Sequence, residues 1–422
     1  MHRLSQINIA NRAVLMSAYT DDRGWPAEES LAELARLAET AGIEVVGQVS
    51  QHLRDEQPNT YLGKGKIQEL REMKSSLRFD TVIADDELSA SQQRHLEDAL
   101  DVQVLDRTAV ILHIFAQHAR TREGRLQVEL AQYRYRLPRL TGRGVELSRL
   151  GAGINTRGPG ETKLESDRRR IRHRIADLDE EIEQVRAQRS IHRRQRRTSG
   201  MPVIAFVGYT NAGKSTLMNA LTGAEVLSSD QLFATLDPTT RRLTLPNHQE
   251  VLLTDTVGFI QKLPTDLVAA FRATLEEIQE ADLLLHVVDA SHPQLAEQAE
   301  SVEDELEALG VEDKPRITVL NKIDAVAPER LPWIRKQFEN PVLVSAIDGD
   351  GLEGLLTRIA REIATEFVVV KVRIPYNATE LVNLFRSRGQ VEREDHREEG
   401  TVITGRLPSS LLPSFKPFVL SR

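Results

Sequence analysis

The sequence predicts an α/β protein of four domains, and three patterns of apolar residues support that fold class. Short apolar, β-branched runs alternate with segments of helical spacing over residues 1–118 and again over residues 199–366, which is typical of parallel sheets covered by helices. Residues 119–198 carry two apolar seams with 4-3 spacing, which favour a long antiparallel helical hairpin. Strand and helix patterns in residues 367–422 are enough for a small α+β domain.

The N-terminal domain is predicted as a parallel α/β layer. A helix expected at 30–41 places Leu31, Leu34 and Leu37 on one side. Strands are expected at 13–16, 43–46, 81–84 and 102–105, and two further helices at 67–73 and 89–100. Because helical segments separate the strands, we expect the strands to be parallel.

The helical hairpin is predicted from its seams and from a glycine-rich loop between them. The first helix is expected over about 107–137, ending at Pro138, and the second seam runs from Ile171 to Val185. The loop contains Gly142, Gly144, Gly151, Gly153, Gly158 and Gly160. Glycine at this density lets backbone amides approach an anion closely. The candidate RNA-binding residues of this loop are Arg143, Arg149, Arg157 and Lys163. A flexible hairpin tip is the alternative.

Composition excludes several classes of function. The 422 residues include no cysteine, which excludes disulfides, thiolate nucleophiles and cysteine-bound zinc. There is no run of eighteen apolar residues and no apolar segment after the N-terminus, so neither a membrane span nor a secretory signal is expected. A cytoplasmic location is therefore predicted, with a partial, peripheral association with membranes left open, and the 4-3 seams, which look intramolecular, predict a monomer. The net charge of −8 argues weakly against a nucleic-acid partner, but the arginines between residues 120 and 170 can form a phosphate-binding face or a solvated helix surface.

Residues 208–216 form a phosphate-binding loop in the context that such a loop requires. An apolar strand at 202–207 precedes it and a helical segment at 217–221 follows it. In such a loop, backbone N–H groups wrap the β-phosphate, Lys214 neutralises the β- and γ-oxygens, and the Ser215 hydroxyl ligates Mg²⁺. The expected nucleotide-binding residues are Gly208, Tyr209, Thr210, Asn211, Ala212, Gly213, Lys214, Ser215 and Thr216.

Two further segments are expected to complete the phosphate and magnesium site. Asp255 ends a strand and would hold Mg²⁺ through water, and the N–H of Gly258 would contact the γ-phosphate. Residues 233–240 are expected to form a mobile loop with a threonine that completes Mg²⁺ coordination, Thr235 as first choice and Thr239 as second. The predicted catalytic residues are Lys214, Thr235 and Gly258.

The predicted base is guanine. Asp324 can accept hydrogen bonds from guanine N1–H and the exocyclic amine, whereas adenine lacks the matching donors and leaves a carboxylate without partners. Asn321 is expected to brace the loop, and the stem of Lys322 to cover the base. The N–H of Ala346, which follows Ser345, is expected to reach guanine O6. The sequence therefore predicts a P-loop GTPase domain that binds GTP or GDP with Mg²⁺.

These motifs, in this order, resemble those of translation-factor-related GTPases, and finer matches resemble the HflX family of bacterial GTPases. The finer matches are the segments 208–216, 233–239, 255–259, 61–66 and 142–170. The resemblance covers roughly residues 10–370. It implies a ribosome-associated GTPase that binds the large ribosomal subunit and ribosomal RNA, and that splits or rescues stalled or idle ribosomes under stress.

The resemblance also bears on catalysis and cofactors. Phe259 stands where many GTPases have a glutamine that orients the attacking water, so we predict slow intrinsic turnover that a partner accelerates. In related GTPases an asparagine at the position of Asn211 ligates K⁺, so K⁺ is a candidate cofactor, with loop capping as the alternative. Some relatives are reported to bind ATP through the N-terminal domain, but Lys64 and Lys66 between glycines are only a weak sign of a second phosphate site.

Two other functions remain as alternatives. One is a GTP-dependent switch that recruits protein partners, and the other is an RNA remodeller with an additional N-terminal ATP site. Asn321 and Asp324 argue against ATP in the main site. Binding to ribosomal RNA that weakens with salt would favour the ribosomal function over the protein-recruiting switch.

Overall fold

A computed structural model describes residues 12–20, 25–53, 60–140, 159–198, 201–223, 232–262, 272–365, 367–408 and 411–420. Of residues 159–164 and 188–198 it describes the backbone alone. The chain divides into two compact units. The first comprises Met1–Glu183, Ser229–Asp237 and Ile260–Ala273, and the second comprises Gln184–Ser228, Pro238–Phe259 and Thr274–Arg422.

The first unit contains a four-stranded parallel sheet. Its strands are β1 (Arg12–Tyr19), β2 (Glu44–His52), β3 (Thr81–Ala84) and β4 (Gln103–Asp106), in the order β2-β1-β3-β4. The helices between them are α1 (Ala27–Thr40), α2 (Lys64–Leu77) and α3 (Ala90–Leu100), and α4 (Arg107–His118) follows β4. The predicted parallel α/β layer is confirmed.

Local sequence accounts for where these helices begin and which side they bury. Ser89 caps α3: its hydroxyl accepts from the N–H of Gln92 at 3.2 Å, and the Gln92 side chain accepts from the N–H of Ser89 at 2.9 Å. Leu31, Leu34 and Leu37 of α1 are all buried, as their helical spacing predicts.

The region after β4 differs from the single helix expected over 107–137. It consists of α4 and a separate helix, α5 (Arg122–Arg139). The break has a local cause, because Ala119 is extended and the Thr121 hydroxyl accepts from the N–H of Gly124 at 2.9 Å, which starts a new helix. Pro138 lies inside the last turn of α5, one residue before its end, so the expected stop at Pro138 is wrong by one residue.

The second long helix, α6 (Pro159–Thr198), begins earlier than expected. Gly160 and Lys163, which were expected in the connecting loop, lie in its first turns, because Pro159 is suited to the first helical position. Leu178 and Ile182 of α6 are buried. Arg174 pairs with Glu129 of α5 at 3.1 Å, which joins the two helices.

The second unit is built on a six-stranded sheet. Its strands are β5 (Val203–Gly208), β6 (Thr239–Thr244), β7 (Glu250–Asp255), β8 (Leu283–Asp289), β9 (Arg316–Asn321) and β10 (Val342–Leu343), in the order β10-β9-β8-β5-β7-β6. All neighbours are parallel except β6, which is antiparallel to β7. The helices are α7 (Lys214–Thr222), α8 (Arg272–Glu280), α9 (Leu295–Ala308), α10 (Leu331–Arg335) and α11 (Leu352–Thr365).

A small α+β layer follows in the same unit, as predicted. Strands β11 (Phe367–Ile374), β12 (Gln390–Arg397) and β13 (Gly400–Pro408) form an antiparallel sheet in the order β11-β13-β12. Helices α12 (Thr379–Arg388) and α13 (Leu412–Phe415) cover one face of it. Phe385 and Phe415 meet edge to face in this core, with ring centroids 5.6 Å apart. Within the described parts of the chain, no helix has the length and apolarity that crossing a membrane requires.

Candidate nucleotide-binding site

The phosphate-binding loop joins β5 to α7, and two of its glycines have conformations and neighbours that exclude a side chain. Gly208 has φ +151°, and a Cβ there would stand 2.2 Å from the carbonyl oxygen of Val287. Gly213 has φ +90°, and a Cβ there would stand 2.3 Å from Nδ2 of Asn321. The loop therefore packs tightly against β8 and β9, and its backbone remains available to an anion. Asn211 adopts a left-handed φ of +60°, which asparagine tolerates in a tight loop.

Lys214 is held inside the loop that it follows. Its Nζ donates to the carbonyl oxygens of Gly208 at 3.1 Å and Tyr209 at 2.8 Å. Burial lowers the pKa of the Lys214 ammonium to about 8, despite the nearby carboxylate of Asp255. A phosphate group would replace the two carbonyl contacts with full negative charges, which is a strong reason for this buried lysine to bind an anion.

Ser215 and Asp255 form an oxygen pair suited to Mg²⁺. The Ser215 hydroxyl donates to Oδ2 of Asp255 at 2.6 Å, and Asp255 is buried at the end of β7. Hydroxyl and carboxylate oxygens are ligands that Mg²⁺ accepts when phosphates and water complete its octahedron. In the part of the chain that the structure describes, no group of three or more His, Cys, Asp or Glu residues is placed to hold a metal. This pair and the loop beside it thus fit a magnesium ion that arrives with a nucleotide.

The segment after Asp255 lies directly on the phosphate loop. The N–H of Thr210 donates to the carbonyl oxygen of Phe259 at 2.7 Å. The N–H of Phe259 in turn donates to the carbonyl oxygen of Gly208 at 3.1 Å. A Cβ at Gly258 would stand 2.7 Å from Cα of Thr210 and 2.9 Å from Nζ of Lys214. The Phe259 side chain is buried, so the position after Gly258 supplies no group that can orient water.

The two threonine candidates have different surroundings. Thr235 is half-buried and belongs to the first unit. In that unit the neighbouring Asp237 accepts from the backbone N–H groups of Arg120 and Thr121, both at 2.8 Å, and from the Thr121 hydroxyl. Thr239 begins β6 in register with Asp255, so the expectation that it lies on a loop is wrong, because the β6–β7 ladder includes it.

Asn321 connects the phosphate loop to the loop after β10. Its Nδ2 donates to the carbonyl of Ala212 at 2.9 Å, and its Oδ1 accepts from the N–H of Ala346 at 3.1 Å. Ala346 therefore already has a partner, and a contact with guanine O6 would share or replace that hydrogen bond. The preceding Ser345 is buried, and its hydroxyl accepts from the N–H of Asp348 at 3.1 Å.

Asp289 contacts Lys322, one of the predicted base-binding residues, although the sequence analysis did not identify it. Lys322 has a left-handed φ of +62°, and its Nζ pairs with Oδ2 of Asp289 at 2.8 Å, which fixes the stem of Lys322. Oδ1 of Asp289 accepts from the N–H of Ser291 at 2.9 Å. Asp324 is exposed on the short 3₁₀ turn Ile323–Ala325. Asp289 is the last residue of β8, and its position at the carboxyl end of a central parallel strand was the signal available in the sequence.

Of the four candidate RNA-binding residues, the structure describes only the backbone of Lys163. Arg143, Arg149 and Arg157 lie outside the described residues, as does the side chain of Lys163. Other arginines of the same basic region have structural partners: Arg134 pairs with Asp179 at 2.9 Å and Arg139 with Asp106 at 2.9 Å. Part of the arginine belt therefore stabilises the helices.

The second phosphate site suggested by Lys64 and Lys66 receives no support. Lys64 begins α2, and Lys66 pairs with Glu69 at 2.8 Å on the same helix. These contacts are those of an ordinary helix surface.

Comparison with known protein families gives four matches along the chain. Residues 28–116 match the model described as GTP-binding GTPase N-terminal, and 118–196 match the GTP-binding GTPase Middle Region. Residues 203–322 match the 50S ribosome-binding GTPase model, and 334–409 match the HflX C-terminal domain.

Individual proteins give the same result over nearly the whole chain. The GTPase HflX of Caldanaerobacter subterraneus is 48% identical over 410 residues, which cover 97% of this chain and 94% of that protein. The GTPase HflX of Escherichia coli is 41% identical over 394 residues, 93% of this chain and 92% of that protein. Among solved structures, a GTP-binding protein of Sulfolobus solfataricus in complex with GDP is 26% identical over 83% of this chain and 98% of its own, with a TM-score of 0.43.

Proposed function

The chain belongs to the HflX family of GTPases, and on that basis we propose that it associates with the large ribosomal subunit and splits or rescues stalled or idle ribosomes under stress. As a member of that family it is a P-loop GTPase that binds and hydrolyses GTP. The proposal adds the ribosomal substrate, ribosomal RNA as the contacted surface, and action in the cytoplasm as a monomer.

The observation that carries the proposal is the match of residues 203–322 to a family of 50S ribosome-binding GTPases. The buried Phe259 adds a chemical reason for a large partner. Hydrolysis needs an oriented water and neutralisation of charge that develops on the phosphates. Since Phe259 can supply neither, we expect slow turnover by the free protein and a rate increase when a partner orders the site.

The proposed roles of the site residues follow from their chemistry. Lys214 neutralises the β- and γ-phosphates, and the N–H of Gly258 donates to the γ-phosphate. Ser215 and Asp255 would hold Mg²⁺, Asp255 through water, and Thr235 would add a ligand when GTP is present. The ion would supply charge neutralisation on the phosphate oxygens. Asp324 selects guanine, the stem of Lys322 covers it, and Asn321 braces the loop together with Ser345 and Ala346.

The proposed RNA contacts are Arg143, Arg149, Arg157 and Lys163. Arginine pairs with phosphates and stacks on exposed bases, both of which ribosomal RNA offers. If these residues contact phosphates, binding to the large subunit weakens steeply with salt, because each contact releases a counterion. Replacing all four with glutamine is expected to weaken subunit binding and to leave GTP binding by the free protein unchanged.

The test is steady-state GTP hydrolysis with and without purified large subunits, in K⁺ and in Na⁺ buffer. We expect stimulation of about tenfold or more, which Lys214→Ala abolishes. Intact ribosomes are then layered on a sucrose gradient after incubation with the protein and GTP, and we expect free subunits to appear. If large subunits leave the rate of GTP hydrolysis unchanged, and the protein does not sediment with them in the presence of a non-hydrolysable GTP analogue, the protein-recruiting switch would be the better supported function. Stimulation in K⁺ alone would identify K⁺ as a cofactor.

A further inference from the structure

The side chain of Lys322 lies close to the phosphate loop of the second unit. Its backbone has a left-handed φ of +62°, directly after Asn321 at the end of β9. Its side chain is 25% exposed, and its Cε would stand 3.9 Å from a Cβ at Gly213, the last glycine of the phosphate loop. The stem of Lys322 therefore passes beside the loop that is expected to hold the phosphates.

The ammonium group of Lys322 is paired with a carboxylate of the neighbouring strand. Nζ of Lys322 lies 2.8 Å from Oδ2 of Asp289, whose side chain is 12% exposed. Asp289 ends β8 in register with Asn321, and the N–H of Ala290 donates to the carbonyl oxygen of Asn321 at 2.9 Å. The ends of β8 and β9 are thus joined next to the ion pair, so the backbone of Asp289 is fixed relative to that of Lys322.

The other oxygen of the Asp289 carboxylate is held by the turn that follows β8. Oδ1 accepts from the N–H of Ser291 at 2.9 Å and from the Ser291 hydroxyl at 2.5 Å. An aspartate that bonds the backbone two residues later is fixed in its rotamer, so Oδ2 stays directed at Lys322. A lysine with a flexible stem is thereby held in one position before a nucleotide arrives.

We propose that Asp289 is a positioning residue for the guanine base: it holds the stem of Lys322 where the base stacks against it, and so raises the affinity for guanine nucleotides. Without this partner the lysine would have to be ordered when the nucleotide binds, and ordering such a side chain weakens binding about two- to tenfold. The inference rests on the proposed contact between the Lys322 stem and guanine, and it is independent of the ribosomal role.

The role of Asp289 differs from that of Asp324, which lies on the 3₁₀ turn Ile323–Ala325 directly after Lys322. The Lys322 stem covers the plane of the base, whereas Asp324 accepts from N1–H and the exocyclic amine at its edge. Loss of the Asp289 carboxylate should therefore weaken the binding of GDP and of inosine diphosphate, which lacks that amine, by the same factor. Asp324→Ala should instead reduce the preference for GDP over inosine diphosphate, because the amine loses its acceptor.

The test measures the affinity of full-length variants for GDP and for a non-hydrolysable GTP analogue by calorimetric titration. Asp289→Asn keeps an oxygen for Ser291 and loses the charge that faces Lys322, and it should weaken both nucleotides about two- to tenfold. Lys322→Met keeps the stem without its charge and should cause a similar loss. The double variant should lose no more than either single variant, because each removes the same ion pair, whereas a merely structural role of Asp289 would give additive losses.

The matched control is Asp395→Asn, because Asp395 pairs with Arg393 at 3.0 Å on β12 of the same unit. Its affinity for both nucleotides should stay within about twofold of the original. Urea unfolding of the nucleotide-free variants shows whether each is folded. If Asp289→Asn does not fold, Lys322→Met tests the same ion pair.

A further variant, Lys322→Ala, separates the positioning role from the base contact on which it rests, because it removes the stem as well as the charge. A loss of affinity in Lys322→Ala, without one in Asp289→Asn or Lys322→Met, would overturn the positioning role and leave the base contact intact. No loss in any of the three variants would overturn both. The expected losses without any stimulation of hydrolysis by large ribosomal subunits would support the positioning role and contradict only the ribosomal function.

Discussion

Removing the Asn321 side chain is expected to separate the phosphate loop from the base-binding loop. Asn321 is 1% exposed, and its two hydrogen bonds join Ala212 to Ala346. In Asn321→Ala both backbone groups lose their partner in a buried place, at a cost of about 1–3 kcal/mol each. The total of about 2–6 kcal/mol divides between the free energy of unfolding and the free energy of nucleotide binding.

The assay measures both parts of that total. Urea unfolding of the nucleotide-free variant gives the loss of folding stability, and calorimetric titration with GDP gives the loss of binding. The two losses add to the change in stability of the GDP-bound protein, because folding and binding form one thermodynamic cycle. A sum below about 1 kcal/mol would mean that water or a shifted loop satisfies both groups, and would refute the bracing role of Asn321.

Two further variants sharpen the result. Asn321→Asp keeps the oxygen that accepts from Ala346 but places a second carboxylate oxygen against the carbonyl of Ala212, so we expect a loss at least as large as that of alanine. A smaller loss would show that the bond to Ala212 contributes nothing. Asn247→Ala is the matched control, because Asn247 is exposed in the turn before β7 and bonds only locally to Gln249; a change within about 0.5 kcal/mol is expected there.

Three other predictions follow from single contacts. Burial lowers the pKa of Lys214 to about 8, and phosphates need its charged form, so GTP binding takes up a proton above that pH. The affinity for GTP, measured by titration from pH 7 to 9.5, should fall by up to about tenfold per pH unit above pH 8. An affinity that does not change with pH would contradict this. Arg107→Met removes the buried guanidinium that pairs with Glu33 at 2.7 Å and with Asp85 at 3.2 Å, and it should cost about 3–5 kcal/mol in urea unfolding, whereas a loss under about 1 kcal/mol would mean that these ion pairs are not formed. Gly351→Ala places a Cβ 2.0 Å from the carbonyl oxygen of Leu343 and should lower the melting temperature. Gly354→Ala is the control, because Gly354 lies in a helix with open space around it, and it should be neutral or stabilising. Equal changes in melting temperature would show that the close approach at Gly351 is not required.

The phosphate loop and the base-binding segment were predictable because their chemistry is local. A strand, a glycine loop and a helix follow one another in the sequence, so Gly208, Lys214 and Ser215 are placed by neighbours within a few residues. Asp255 and Asn321 end parallel strands, and the carboxyl ends of such strands meet at one edge of a sheet. The pattern of strands is enough to bring these groups together.

The remaining features depend on partners far away in the sequence. The helix expected over 107–137 is interrupted because the Thr121 hydroxyl caps a new helix, and Asp237, 116 residues later, accepts from that hydroxyl as well. Asp289 was missed because its role depends on where Lys322 points. Nζ of Lys262 pairs with the buried carboxylate of Asp85, 177 residues away in the sequence, and nothing in the residues around Lys262 distinguishes it from a surface lysine. Periodicity describes which face of an element is buried, but it carries no information on which distant charge that face meets.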